Sequence, residues 1–324
     1  MKKNQSQEID RRTFLKMSGA TGLGAAVAMG VPDATLAQSE AKTVKGGPSM
    51  SIAAINGTRL YYVVTGEGFP LVFSHEFAGD YRSWEPQVRF FSRRYKVITY
   101  NNRGYPPSEV PTDPAGYSEA ILVEDLLQLL AHLKVSKAHI VGLSMGGGVT
   151  LNFGLRHPEK CASLVIASAG SGSTNREQFL KDGRVIVETI EKGGMEAILD
   201  FMTLSPNRIT FKQKDPRGWE EFRRQLAEHS ARGSALTFSK VQLERPSIFD
   251  HEARLKQLQV PTLILVGDED KACIEPALFM KRCIPHAGLM IFPRSGHAIN
   301  LEEADLFNRA VLDFLTAVEA GKWV

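Results

Sequence analysis

The run Gly142-Leu143-Ser144-Met145-Gly146, followed by Gly147-Gly148, sets a hydroxyl among residues with almost no side chain. The apolar stretch Ala138-His139-Ile140-Val141 before it reads as a strand, and Met145 to Arg156 after it reads as a helix. A serine at so sharp a strand-to-helix turn is held in a strained backbone conformation with its hydroxyl exposed, and Gly142 and Gly146 are small enough to allow it. The same turn brings a helix N-terminus and the Met145 amide beside any carbonyl the serine attacks, where both favour an oxyanion. Ser144 is therefore the expected nucleophile.

A serine hydroxyl is weakly nucleophilic at neutral pH and needs a base, and histidine is the side chain suited to take and return a proton there. Eight histidines compete for that role. His297, in Ser295-Gly296-His297-Ala298-Ile299-Asn300, falls just beyond the last predicted strand and before the last helix. His132, His139, His157 and His286 lie within or beside helices and strands and read as structural. The imidazole in turn needs a carboxylate that orients it and stabilises its protonated form. Three acids, Asp268, Glu269 and Asp270, follow the strand that ends at Val266-Gly267, and position alone leaves all three open.

These residues depend on the elements that carry them. Ser51 to Ile55 and Thr58 to Thr65 read as two strands joined at Asn56-Gly57, a dipeptide that favours a tight hairpin. Short apolar strands then alternate with amphipathic helices. The strands are Leu71 to Phe73, Lys96 to Tyr100, Ala138 to Leu143 and Ser163 to Ala167; the helices fall near Trp84 to Phe91, Ser118 to Leu133 and Met145 to Arg156. Such alternation implies an α/β fold, a mainly parallel sheet covered on both faces. Its strands' C-terminal ends share one rim, where open sheets bind ligands. Over 171–246 the alternation stops and helical, aromatic-bearing sequence (Phe179, Phe201, Phe211, Trp219, Phe222, Phe238) forms an expected helical cap. The strand pattern resumes with Thr262 to Val266 and Leu289 to Phe292, so the core is expected over 51–170 and 247–324.

The serine turn, the acids after Gly267 and His297, in that chain order, make the sequence resemble the α/β-hydrolase superfamily, in its cap-bearing branch of esterases, cofactor-free haloperoxidases and carbon–carbon bond hydrolases. The resemblance runs from about Ser51 to the end and implies an eight-stranded sheet. It also implies that the second acid of the Gly-Asp-x-Asp run, Asp270, is the catalytic one, with Asp268 capping the turn. Phe73-Ser74-His75-Glu76-Phe77 stands where that family has a His-Gly oxyanion loop, which makes the Phe77 amide, or else that of Glu76, the expected second oxyanion donor beside Met145. Glu76 departs from the family glycine. A carboxylate aimed at a developing oxyanion would oppose catalysis, so Glu76 is expected to turn away. Asn101-Asn102-Arg103-Gly104-Tyr105-Pro106-Pro107-Ser108 resembles the family's Asp-x-Arg-Gly-x-Gly-x-Ser loop, with Arg103 expected as an anchor between loops. The expected activity is cleavage of a carboxylic ester or activated acyl substrate through an acyl-enzyme, on a partly apolar small molecule. Carbon–carbon hydrolysis, perhydrolysis and a non-catalytic binding role are the alternatives.

The first 37 residues read as a leader. Arg11-Arg12-Thr13-Phe14-Leu15-Lys16 resembles a twin-arginine signal, the uncharged Ala- and Gly-rich stretch Met17 to Pro32 follows, and Thr35-Leu36-Ala37 offers a cleavage context. That stretch is too short and too weakly apolar to span a bilayer, which wants about 20 apolar residues. The expected partner of this segment is the twin-arginine export machinery, with a periplasmic or extracellular destination and a linker over residues 38–50. The chain is close to charge balance, with 39 Lys and Arg against 36 Asp and Glu scattered along its length, which gives nucleic-acid binding no support. Neither zinc-spaced cysteines, a His-Glu-x-x-His, a phosphate loop nor a dinucleotide glycine pattern is present, so no metal or cofactor is expected. Of three cysteines, Cys161 reads as a small buried hydrophobe, while Cys273 and Cys283 could bridge.

Overall fold

The computed structural model describes residues 49–323. The leader over 1–37 and most of the linker over 38–50 therefore lie outside the described residues. The strands are β1 (Ser49–Ile55), β2 (Thr58–Thr65), β3 (Phe69–Ser74), β4 (Tyr95–Tyr100), β5 (Ala138–Leu143), β6 (Cys161–Ala167), β7 (Thr262–Gly267) and β8 (Ala287–Phe292). They form one sheet in the order β1-β2-β4-β3-β5-β6-β7-β8. β1 pairs antiparallel with β2 and β2 antiparallel with β4, and every other neighbouring pair is parallel. The eight-stranded, mainly parallel α/β sheet expected from the sequence is the one observed. β1 begins at Ser49, two residues inside the stretch read as linker, because Ser49 and Met50 pair with Val64 and Val63.

The helices of the core are α1 (Glu85–Phe91), α2 (Glu119–His132) and α3 (Met145–Arg156) before the insertion. The insertion carries α4 (Arg176–Gly193), α5 (Leu199–Thr203), α6 (Ile209–Lys214), α7 (Pro216–Ala227) and α8 (Ala231–Thr237). The chain closes with α9 (Glu252–Leu255), α10 (Lys271–Cys283), α11 (Ile299–Glu302) and α12 (Ala304–Glu319). The last helix expected near Leu301 to Val318 is thus two helices, broken at Glu303, whose backbone is non-helical at φ −131°, ψ 53°.

Alternate strand residues face opposite sides, and both sides are dry. Val141, Leu143, Val165, Leu263 and Leu265 pack with Trp84, Phe91, Phe307 and Phe314 from α1, α12 and their approaches. Ile140, Leu164, Ile166 and Ile264 pack the other way, against Leu122, Leu126, Val149, Phe153 and Met280. Two covered faces are why β5 and β7 are buried at every position, which leaves no hydrophilic alternation in their sequences. Parallel order puts the ends of β3, β5, β7 and β8 on one rim, from which the candidate residues project.

The disulfide does not form: Cys161, Cys273 and Cys283 are all free and buried. Cys273 and Cys283 occupy one helix, α10. Ten residues of helical rise separate them by about 15 Å, far beyond the reach of a disulfide.

Candidate active site

Ser144 ends β5 and opens α3 with φ 54° and ψ −108°, a left-handed φ on a residue that is not glycine. Its amide donates to the Ala167 carbonyl at 2.8 Å and its carbonyl accepts from the Gly148 amide at 3.0 Å, so the turn is tied to both β6 and α3. The flanking glycines are a steric requirement. A Cβ on Gly142 would lie 2.1 Å from the Gly146 oxygen, and one on Gly146 would lie 2.0 Å from the Ser74 oxygen. Crowding within the turn at Gly142, and against the end of β3 at Gly146, is therefore what forces the Gly-x-Ser-x-Gly composition. The Met145 amide is one of the first in α3, which intrahelical bonding leaves without a partner.

Asp270 follows β7 and His297 follows β8. Their side chains meet at 2.7 Å, His297 Nδ1 to Asp270 Oδ2. Both are buried, Asp270 fully. Burial alone would raise the Asp270 carboxyl, but His297, with Cys273 and Asn207 adding hydrogen bonds, holds it below the usual carboxylate range. An ionised carboxylate only accepts, so Nδ1 carries the proton and Nε2 is left as the basic nitrogen. The other two acids of the run are exposed. Asp268 accepts the Ser295 amide through Oδ1 at 3.1 Å, which is turn capping.

The loop after β3 is organised by His75, which is fully buried. Its Nε2 accepts the Asn102 amide at 3.0 Å, so its Nδ1 carries the proton and donates to the Glu76 carbonyl at 2.7 Å. Burial keeps this imidazole neutral, its pKa pushed down to about 4. Because a trans peptide points its N–H opposite its carbonyl, fixing the Glu76 oxygen on His75 turns the Phe77 N–H the other way. That amide meets no acceptor among the described residues. The Phe77 ring packs edge-on against Phe238 of the insertion, centroids 4.9 Å apart.

Glu76 is 1% exposed and its carboxylate is gripped by both terminal nitrogens of Arg208, Nη1 to Oε1 at 3.1 Å and Nη2 to Oε2. Burial would raise this carboxyl, and the Arg208 guanidinium outweighs it and holds it below the usual range. Arg208 is itself buried, 4% exposed, and lies over the Phe222 ring. Its neighbour Asn207 reaches the histidine and the aspartate together. The Asn207 carbonyl accepts the His297 amide at 2.7 Å, and Asn207 Nδ2 lies 3.5 Å from Asp270 Oδ1. Ser205 Oγ donates to Asn207 Oδ1 at 2.7 Å, which sets the amide's orientation.

Arg103 anchors loops. It donates to both oxygens of Asp125 and to the carbonyls of Gly116 and Asn56. Asp270, Cys273 and His297 bring one potential ligand atom each within 4.8 Å of one another. The chemistry of that set does not suit a metal: burial raises the Cys273 thiol well above its ordinary value, whereas a ligand must be thiolate, and Asp270 is engaged with His297. At the opposite end of the sheet Ser163 Oγ, His139 and Glu319 also form a chain, at 2.7 and 3.2 Å. Ser163 is fully buried, so that set is closed to any substrate.

Sequence reasoning missed Asn207 and Arg208. The available signal was Glu76 itself: a carboxylate in place of glycine in a buried loop needs a cation, and the inserted segment was the place to seek one.

The family model described as alpha/beta hydrolase fold matches residues 70–304. The TAT (twin-arginine translocation) pathway signal sequence matches residues 8–28, so the chain carries the signal for export to the periplasm or beyond. Among the described residues no helix is long and apolar enough to cross a membrane. The 2-hydroxy-6-oxo-6-phenylhexa-2,4-dienoate hydrolase of Burkholderia cepacia is 28% identical over 273 residues, 81% of this chain and 92% of that protein. A thermophilic esterase from Thermogutta terrifontis superposes with a TM-score of 0.75 at 25% identity, covering 83% of this chain and 99% of the esterase. The enol-lactonase from Burkholderia xenovorans superposes with a TM-score of 0.71 at 26% identity, covering 82% and 100%.

Proposed function

The chain belongs to the alpha/beta hydrolase family, and on that premise we propose that it is an exported serine hydrolase that cleaves a carboxylic ester or similarly activated acyl compound through an acyl-enzyme. Ser144 Oγ attacks the acyl carbon while His297 Nε2 takes its proton; the amides of Met145 and Phe77 receive the charge that develops on the carbonyl oxygen. The imidazolium, held by Asp270, then protonates the leaving alkoxide. Water, activated by the same nitrogen, releases the acid and restores Ser144.

The observation that carries this reading is the backbone of Ser144. A left-handed φ of 54° costs energy on a non-glycine residue, and at Ser144 it sets the hydroxyl at the head of α3 beside the Met145 amide. The helical segment 171–246 fits a cap over the rim: its Phe238 packs on Phe77, and Asn207 and Arg208 reach the core loops.

The test is a fluorophosphonate probe on the folded protein with the labelled peptide mapped by mass spectrometry, followed by a screen of esters of graded acyl length, lactones and diketones with Ser144→Ala as blank. Labelling at Ser144 with ester turnover is expected. Turnover of diketones alone would move the assignment to carbon–carbon hydrolysis. A folded protein that is neither labelled nor active would refute the enzyme reading.

A further inference from the structure

We propose that Arg208, carried by the inserted helical segment, is a positioning residue of the serine hydrolase site: it acts through Glu76 to fix the oxyanion loop and to cancel a negative charge beside the histidine. The proposal rests on the serine hydrolase reading above and adds a part to it that lies outside the sheet core.

Three observations converge on this residue. First, the Glu76 peptide is the one whose carbonyl His75 fixes, and whose following amide, Phe77, is the second oxyanion donor. Without Arg208 the Glu76 residue would be held only through its carbonyl, to which His75 donates, and a donor displaced by about 1 Å is worth about 10²-fold in rate. The two-pronged grip of Arg208 adds a second hold, since a bidentate guanidinium fixes the orientation of a carboxylate as well as its place. Second, the Glu76 carboxylate is close enough to His297 for the two to interact electrostatically. Left alone, it would stabilise the imidazolium and weaken His297 as a base at neutral pH; paired, it presents almost no net charge. Third, Arg208 is not free to drift from this post. The residue before it holds the His297 amide through its carbonyl and sits against Asp270, so two consecutive residues of one turn bind the histidine and the oxyanion loop at once. Phe222 closes the guanidinium's other face.

The contacts on this pair come from every element packed against it. Glu76 meets Arg208, with His297 and His75 as the other titratable groups near it, and the Tyr105 hydroxyl is also within electrostatic reach. Of these only Arg208 is a permanent cation, which makes it the group whose removal must be felt.

The experiment compares wild type, Arg208→Lys, Arg208→Ala and the double variant Glu76→Gln/Arg208→Met on a neutral aryl ester, reading kcat, KM and the pH profile of kcat/KM. Arg208→Lys keeps the charge and loses the fork: kcat is expected to fall about tenfold with KM little changed and the acid limb unmoved. Arg208→Ala is expected to lower kcat by about 10²-fold and to move the acid limb upward by about one pH unit, since the unpaired carboxylate favours the imidazolium. The double variant, which leaves no unpaired charge, is expected to return the acid limb to its wild-type position and to recover about tenfold of the lost kcat. A wild-type kcat and pH profile in Arg208→Lys and Arg208→Ala would overturn the proposal. So would a double variant as impaired as Arg208→Ala, because the loss would then come from packing. Should Arg208→Ala fail to fold, the Lys and double variants decide by the same criteria. The underlying reading fails separately, if fluorophosphonate does not label Ser144 in the wild type.

Discussion

His297 Nδ1 meets Asp270 Oδ2 at 2.7 Å, while Asp268, two residues earlier, gives its carboxylate to the Ser295 amide. The two aspartates therefore separate in a kinetic experiment. Asp270→Asn is expected to cut kcat by about 10⁴-fold, because an amide there can donate its N–H to Nδ1, which puts the ring proton on Nε2 and favours the wrong imidazole tautomer. Asp268→Asn is expected to keep kcat within a few-fold. Steady-state rates on an aryl ester decide it, and a near-normal Asp270→Asn enzyme would remove Asp270 from the catalytic set.

Arg103 makes a different kind of prediction. Its guanidinium and Asp125 are both buried, and it also satisfies two backbone carbonyls. Arg103→Ala leaves the Asp125 carboxyl, which burial already pushes above its ordinary value, without its cation in a dry interior, at a cost of about 3–5 kcal/mol. Urea unfolding should register that loss, while kcat of the variant that remains folded stays close to wild type. A loss of kcat at unchanged stability would make Arg103 a substrate ligand instead of an anchor.

His75 gives the fold a pH dependence whose sign is fixed. The unfolded chain takes up a proton on this imidazole near 6.5, whereas the folded protein resists it down to about 4. Between those values the unfolded state binds more protons, so stability falls as pH falls through that window, by up to about 3 kcal/mol. Urea midpoints measured between pH 7 and 4.5 should show this slope, and His75→Gln should flatten it. An equally steep slope in the variant would assign the acid lability to other groups.

The stretch matching the export signal contains two consecutive arginines, Arg11 and Arg12. Replacing both, Arg11→Lys with Arg12→Lys, is expected to hold the protein in the cytoplasm, and mass spectrometry of the exported wild-type chain should find a mature N-terminus near Gln38. Fractionation of the host cell reads the first outcome. An unchanged distribution would mean that this segment is not the export signal.

How much of this was legible in the sequence follows from how local each cause is. The Ser144 turn could be read because its steric demands fall on residues within two positions of it. The sheet could be read because both its faces are covered, which leaves continuous apolar runs at β5 and β7. His297 and the acid loop followed from chain order. The Asp270 side chain, though, is distinguished from Asp268 only by which of them reaches the imidazole, a matter of three dimensions. Whether Cys273 and Cys283 pair stayed open in the sequence because helical rise, which carries them apart, is invisible until α10 is placed. Arg208 was missed because its partner is 132 residues away, and nothing in the insertion's own pattern marks one arginine from another.

The buried Glu76–Arg208 pair also bears on how such enzymes can be re-engineered. Exchanging caps between relatives is an obvious way to change what a site admits, since the sheet and its loops could be kept as a chassis. Here that exchange is constrained: a donor cap without an arginine at this turn would set down on a carboxylate it cannot neutralise, and a donor core with the family's glycine would leave the arginine stranded. The loop and the 171–246 segment are thus tied through this pair, and a working chimera is expected to carry both halves of it or neither.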